Sequence, residues 1–97
     1  MKQISNEIII NYLLNRGFKP KYIGFDFWKD AIFLAYNDKK YIKNISQNLL
    51  PQLRVGYNIP ISAIQSGLDR CLKDAQKEQT IANFLAQAVL DMEELCK

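Results

Sequence analysis

Apolar residues in this chain recur at three- and four-residue spacing almost from end to end. That is the helical period rather than the alternation of a half-buried strand. The clearest instance lies between Ile61 and Ala75. At 100° per residue, Ile61, Ile64, Leu68, Cys71, Leu72 and Ala75 fall within an arc of about 100°, while Ala63, Ser66, Arg70 and Lys73 lie opposite. A helix with one apolar face must bury it against other elements. The expected fold is therefore all-α, a compact bundle of about six helices in one domain spanning residues 1–97.

The punctuation of that period sets the expected elements. "SNEIIINYLLNRGF" opens on Ser5 or Asn6 as N-cap, carries Glu7 in its first turn, and closes on Gly17 as a C′ glycine. "KPKYIGFD" reads as a connector marked by Pro20 and Gly24, holding either a short extended stretch or a tight turn. A second helix is expected over "FWKDAIFLAYND", with Trp28, Ala31, Ile32, Ala35 and Tyr36 on its inner side. Asp38 or Asn37 ends it and caps the third, "KKYIKNISQNLL", whose inner residues are Tyr41, Ile42, Ile45 and Leu49. Pro51 cannot sit inside a helix without losing a bond and clashing with the preceding turn, but it suits a first position. A short fourth helix is thus expected from Pro51 to about Val55. Gly56, Tyr57 and Asn58 then form a tight turn, with Asn58 or Ile59 near the cap of the fifth helix, which starts at Pro60 or Ile61. Gly67 lies inside that helix, where it offers a place for close helix approach. The sixth begins after Thr80. Its stripe of Ile81, Phe84, Leu85, Ala88, Val89, Met92, Leu95 and Cys96 either closes on the chain's own core or docks a second copy through residues 80–96.

Composition narrows function mainly by exclusion. Apolar residues are 48% and charged residues 24%, the balance of a globular chain. No apolar run reaches membrane-spanning length, and Glu7 and Asn11 interrupt the one early candidate for a signal peptide. A cytoplasmic protein starting at its own Met1 is expected. The sequence holds no histidine and two cysteines, Cys71 and Cys96, outside any C-x-x-C pair. A zinc site, a dithiol centre and a histidine-activated nucleophile are accordingly not expected. Both cysteines fall on apolar stripes and read as small buried hydrophobes. Asp26 and Asp30 stand one turn apart, a spacing better explained by capping and solvation than by paired acid–base work. With no phosphate-cradling glycine loop either, neither catalysis, a cofactor nor a small-molecule substrate is expected. Tyr22, Phe25, Phe27 and Trp28 read as a core cluster ahead of a base-stacking platform.

Charge is lopsided. Residues 1–58 hold nine Lys or Arg against four Asp or Glu, and residues 59–97 hold four against six. A basic half points to an anionic partner. The fourth and fifth helices also have the order of a helix-turn-helix, short helix, turn, longer helix.

The segment from Arg16 to Ala75 resembles the C-terminal effector domain of the sporulation response regulator of endospore-forming bacteria, the stage zero sporulation protein A family. The resembling positions are Gly17, Pro20, Ile23 and Gly24, then Ala31, Ile32, Tyr36, Asn37 and Asp38 in "DAIFLAYND", and Ile45, Leu49, Pro51 and "GYN" before the fifth helix. "ANFLAQAVLDMEEL" looks like the family's closing helix. The resemblance implies a bacterial six-helix domain that binds double-stranded DNA through its helix-turn-helix and regulates transcription. It also implies a stand-alone effector, since no receiver domain fits ahead of Ser5. Two departures stand out. The connection at Gln76–Gln79 is short. The family's arginine-rich reading helix has Ala63, Gln65 and Ser66 at matching positions here, and Asp69 where the family is basic.

On that reading residues 60–75 enter the major groove. The expected base readers are Ser62, Gln65, Ser66, Asp69 and Arg70, with Gln65 suited to adenine and Arg70 to guanine. The expected phosphate contacts are Lys39, Lys40, Lys43, Arg54 and Lys73. The competing expectation keeps the fold but turns the neutral outer face toward a protein, either a related regulator or a second copy.

Overall fold

The computed structural model describes residues 5–95. Its helices are α1 (Asn6–Asn15), α2 (Ile23–Asn37), α3 (Lys40–Lys43), α4 (Leu50–Tyr57), α5 (Ile61–Asp74) and α6 (Ile81–Leu95), with a π turn over Ile45–Leu49. Among the described residues there is no strand, so the architecture is an all-α bundle. Its Cα radius of gyration is 12.3 Å, near the value of about 13 Å expected for a packed chain of this length. No described helix is long and apolar enough to cross a membrane.

Local chemistry sets most of the boundaries. Ser5 accepts the Ile8 amide through its hydroxyl at 3.3 Å and starts α1. At the other end Gly17 takes φ +91°, the left-handed conformation that glycine adopts without a Cβ penalty. Thr80 Oγ1 accepts the Asn83 amide at 3.1 Å and starts α6. Asp38 Oδ1 accepts the Lys40 amide at 3.1 Å between α2 and α3.

Three boundaries differ from the sequence reading. First, α2 begins at Ile23, so Gly24 and Phe25 are helical. Gly24 does not punctuate a connector; it is where α2 meets α5. A Cβ there would lie 2.2 Å from the Gly67 carbonyl oxygen and 2.8 Å from Cys71 Sγ. Second, the third helix breaks at Asn44, whose backbone leaves the helical region at φ −145°, ψ 88°. The Asn44 side chain caps the next segment by accepting the Gln47 amide at 3.1 Å. The chain then widens into a π turn, with the Leu50 amide bonded to the Ile45 carbonyl, and runs directly into α4. A widened turn upstream gives the Pro51 ring the room that a regular α-helix would deny it. Third, Gly56 and Tyr57 remain in α4. The residue that ends α4 is Asn58, in the left-handed conformation at φ 56°, ψ 45°. Asparagine tolerates that region better than other non-glycine residues. Asn58 thus closes α4, and Pro60 takes the N-cap position of α5.

The core sits between α2, α5 and α6. Trp28 and Phe27 of α2, Ile64 and Leu68 of α5, and Leu85 and Met92 of α6 are fully buried. Phe18 packs edge-on to Trp28 at 6.0 Å and stacks on Phe84 at 5.1 Å, while Trp28 meets Phe84 edge-on at 5.0 Å. The Trp28 indole N–H donates to the Leu68 carbonyl at 3.0 Å, which satisfies the one polar atom of that ring. Tyr22 is half-buried, and Phe25 and Phe27 join the core, so the aromatic group is structural. The α6 stripe from Ile81 to Met92 is buried within the chain. Cys96, at the end of that stripe, lies outside the described residues.

A polar clasp ties α1 to α6. Asp91 accepts from the Tyr12 hydroxyl at 2.6 Å, Arg16 at 3.2 Å and Gln87 at 3.0 Å. Burial alone would raise the Asp91 carboxyl, but hydrogen bonds from Tyr12, Gln87 and Arg16 outweigh it and hold its pKa below the ordinary range. A folded-state pKa below the unfolded one means stability that is present above the unfolded pKa and lost as pH falls through the folded one. Urea titrations of wild type are therefore expected to show a fall in stability below about pH 4, and Asp91→Asn to flatten that acid limb while lowering stability at neutral pH.

The glycines give a sharper test. Gly24→Ala drives a Cβ into the Gly67 backbone, which cannot move aside as a side-chain tip would. It is expected to cost roughly 3 kcal/mol or more, at or above the upper end for overpacking. Gly56→Ala meets nothing within 4 Å and is helical, so it is expected to stabilise by about 0.4–1 kcal/mol. Denaturant midpoints of the two variants measured side by side check both signs.

Candidate nucleic-acid interface

The surface in question is built on α4, the turn Asn58–Ile59–Pro60 and α5. Its position follows from what holds α5 in place. The apolar stripe of α5 is spent as the period requires: Ile64, Leu68, Cys71 and Leu72 are buried, and Ile61 and Ala75 are half-buried against the core. The rotation of α5 is fixed by Gly67 against Gly24 and by Trp28 on Leu68. Phe27 also limits it, because its ring carbons would lie 2.8–2.9 Å from a Cβ at Gly67. That rotation leaves Ser62, Ala63, Ser66, Arg70 and Lys73 exposed.

α4 is held by α2. The Tyr57 hydroxyl donates a hydrogen bond to Asp30 Oδ2, and the Tyr57 ring meets Phe27 edge-on at 4.8 Å. Burial, then the bond to Asp30 and the negative charges of Asp30 and Asp26, push the Tyr57 hydroxyl well above its ordinary pKa. Asp30 is therefore a tether for α4, and Asp26 pairs along its own helix with Lys29 at 3.8 Å.

The five expected base readers do not act as one group. Ser62 and Ser66 stand on the exposed crest of α5. Gln65 and Asp69 turn to one flank, where they line an open groove of about 450 Å³ with Ile45, Ser46 and Thr80. Arg70 turns to the opposite flank, where its guanidinium lies 5.1 Å from the centre of the Tyr22 ring.

The expected phosphate contacts divide in the same way. Lys39 reaches across to α6 and pairs with Glu93 at 2.7 Å, and Lys40 pairs with Asp38 at 3.7 Å. Arg16, Lys19 and Lys29 also have carboxylate partners. Among the described residues Lys21, Lys43, Arg54, Arg70, Lys73 and Lys77 form no ion pair. Lys43 precedes the π turn, Arg54 lies on α4, and Arg70 and Lys73 lie on α5. No group of His, Cys, Asp and Glu able to hold a metal occurs among the described residues.

Lys21 belongs to this surface and was not among the sequence candidates; it is joined there by Tyr22, expected only as a member of the aromatic core cluster. The signal available was "KPKY", two lysines around a proline. Nothing in the pattern says which helix that connector lies against, so its lysines read as ordinary solubilising charges.

No protein-family model matches the chain, and no curated protein matches it either.

Cys71 lies beneath this surface. Burial, then the negative charge of Asp74, push its thiol up to about 11, with Arg70 working in the opposite direction. A thiol so buried and so weakly acidic is a packing group. In a Cys96→Ser background, Cys71 is expected to stay unreactive toward a disulfide reagent at pH 8 in the native protein and to react within seconds once unfolded by denaturant. Prompt native labelling would contradict its placement against Gly24.

Proposed function

We propose that this chain is a DNA-binding protein of the transcription-regulator type that lays residues 60–75 in the major groove. One observation carries the reading. Asp26, Asp38, Asp74, Asp91 and Glu93 pair with other cations, while Lys43, Arg54, Arg70 and Lys73, on and around the helix-turn-helix, form no ion pair among the described residues and keep their charge for an external anion. Arg54 and Lys43 suit the backbone on the side of α4. Ser62, Ser66 and Gln65 are the groups with donors and acceptors for base edges, and Asp69 orients toward the Gln65 flank. Lys39 and Lys40, already paired, contribute less than the sequence suggested. The resemblance to the sporulation effector domain supports the same reading and belongs to the proposal.

A second reading has its own observation. The crest of the first two turns of α5, Ser62, Ala63 and Ser66, carries no charge, and Val55 on α4 is 79% exposed. Such a surface fits a protein partner, either a related regulator or a second copy of this chain. Size-exclusion chromatography with light scattering tests the second copy directly.

A gel shift on random-sequence duplex across a salt series separates the two. Four phosphate contacts predict an affinity loss of roughly a hundredfold between about 50 and 200 mM salt. Arg54→Ala is expected to weaken all sequences alike, and Gln65→Ala to change which sequence is preferred, by about 1–3 kcal/mol at one base position. Absence of any shift at the lowest salt sinks the DNA reading and leaves the protein partner.

A further inference from the structure

The connector between α1 and α2 and the start of α2 run antiparallel along about the last two turns of α5, and the contacts follow in order. A Cβ at Gly17 would lie 3.7 Å from Ala75 Cβ. Lys19 Nζ lies 3.5 Å from Asp74 Oδ2, and the Tyr22 hydroxyl donates to Asp74 Oδ1 at 3.4 Å. The Tyr22 ring then sits 5.1 Å from the Arg70 guanidinium, and Gly24 meets Gly67. Lys21 is carried to the same ring, with its ammonium 5.3 Å from the ring centre. The cations Lys21 and Arg70, distant in sequence, therefore share one aromatic ring. Lys73 stands one turn further along α5. Asp74, the acid closest to the group, is engaged by Lys19 and Tyr22, so it cancels Lys19 and leaves Lys21, Arg70 and Lys73 in excess.

From this arrangement we infer that Lys21, Arg70 and Lys73 form a basic ridge, ordered by Tyr22, that grips the phosphodiester backbone of duplex DNA beside the groove entered by α5. The inference rests on the DNA reading above and deepens it by assigning a second backbone contact on the side of the connector. It also changes the role of Arg70. A reader contacts bases from the first turns of its helix, whereas Arg70 lies in the third turn of α5. Its guanidinium is drawn sideways onto Tyr22, away from the crest that carries Ser62 and Ser66. A planar cation held against a ring keeps its N–H edge free, and that edge matches phosphate oxygens. Tyr22 is a positioning residue: it touches Lys21, Arg70 and Asp74 and sets where the two charges stand.

The test is the salt dependence of binding, read by fluorescence anisotropy with one random and one selected duplex. Each lost phosphate contact should reduce the slope of log affinity against log salt by about 0.9. Lys21→Ala and Arg70→Ala are each expected to reduce it by about one contact and to weaken both duplexes equally. Lys39→Ala removes the same charge from a lysine already paired with Glu93 and is expected to leave the slope unchanged. If Lys39→Ala lowers the slope as much as Lys21→Ala, the effect is net charge and the ridge is overturned. Unchanged slopes for Lys21→Ala and Arg70→Ala with wild-type binding intact overturn the ridge alone. So does a change of sequence preference in Arg70→Ala, which would restore Arg70 as a base reader. Wild type that binds neither duplex at low salt overturns the DNA reading and the ridge with it. Lys21→Gln, with a helical circular-dichroism spectrum and wild-type melting, replaces Lys21→Ala if the latter fails to fold.

Discussion

The close crossing of α2 and α5 at Gly24 and Gly67 is the constraint on which the rest of this structure depends. Backbone meets backbone there, with no side chain between, so the distance between the two helices is set by what glycine lacks. Around that point the neighbouring groups fit in only one way. Phe27 lies over Gly67, Cys71 fills the space beside Gly24, and Trp28 reaches the Leu68 carbonyl. Gly67 costs roughly 1 kcal/mol of helix propensity against alanine, and this packing offsets that cost. Together these contacts fix the rotation of α5 about its own axis. Which residues α5 shows to the outside is therefore decided on its inner face.

The same helix α2 also places α4. Phe27, beside the crossing, and Asp30, about two turns from Gly24 along α2, hold Tyr57 at the end of α4. Both arms of the helix-turn-helix are thus referred to one rigid element. The turn between them needs only to reverse the chain. Asn58 does this in the left-handed region, and Pro60 restarts the helix with its fixed φ. The wide turn at Ile45–Leu49 is the complementary device on the upstream side. It lets a continuous helical path pass through Pro51 without the steric clash that a regular helix would impose.

The sequence made the inner faces legible because helical periodicity reports burial directly. Every residue of the α5 stripe is buried or half-buried, and the caps at Ser5, Gly17 and Thr80 lie where capping chemistry puts them. It misled where a residue has two uses. Gly24 punctuates a chain in one setting and permits close helix contact in another, and only the partner, Gly67, distinguishes them. Gly56 is likewise a turn signal that the helix absorbed, with the left-handed duty passing to Asn58. The break at Asn44 was hidden because both halves of "KKYIKNISQNLL" keep an apolar inner side. On the outer surface periodicity says which residues face water, but not which charges find a partner. Lys39 and Lys43 look equivalent in sequence, yet Lys39 lies against Glu93 from a helix fifty residues away, and Lys43 does not.

That division of charge bears on what the α5 surface can discriminate. Contacts to phosphate give affinity and register but carry no sequence information, and base edges are read by donors and acceptors at the front of the helix. Here the cations stand on the flanks and the third turn, while the front carries two hydroxyls, an alanine and a glutamine. A hydroxyl serves any base, and Gln65 is the one group with a bidentate preference. On the DNA reading proposed above, affinity on such a surface would come from the phosphate backbone and fall with salt, and discrimination would rest on a single amide together with the shape of the duplex. A helix held this firmly from within does not need charged readers to stay in register. On that reading the affinity falls to the flanking cations, which form no ion pair among the described residues.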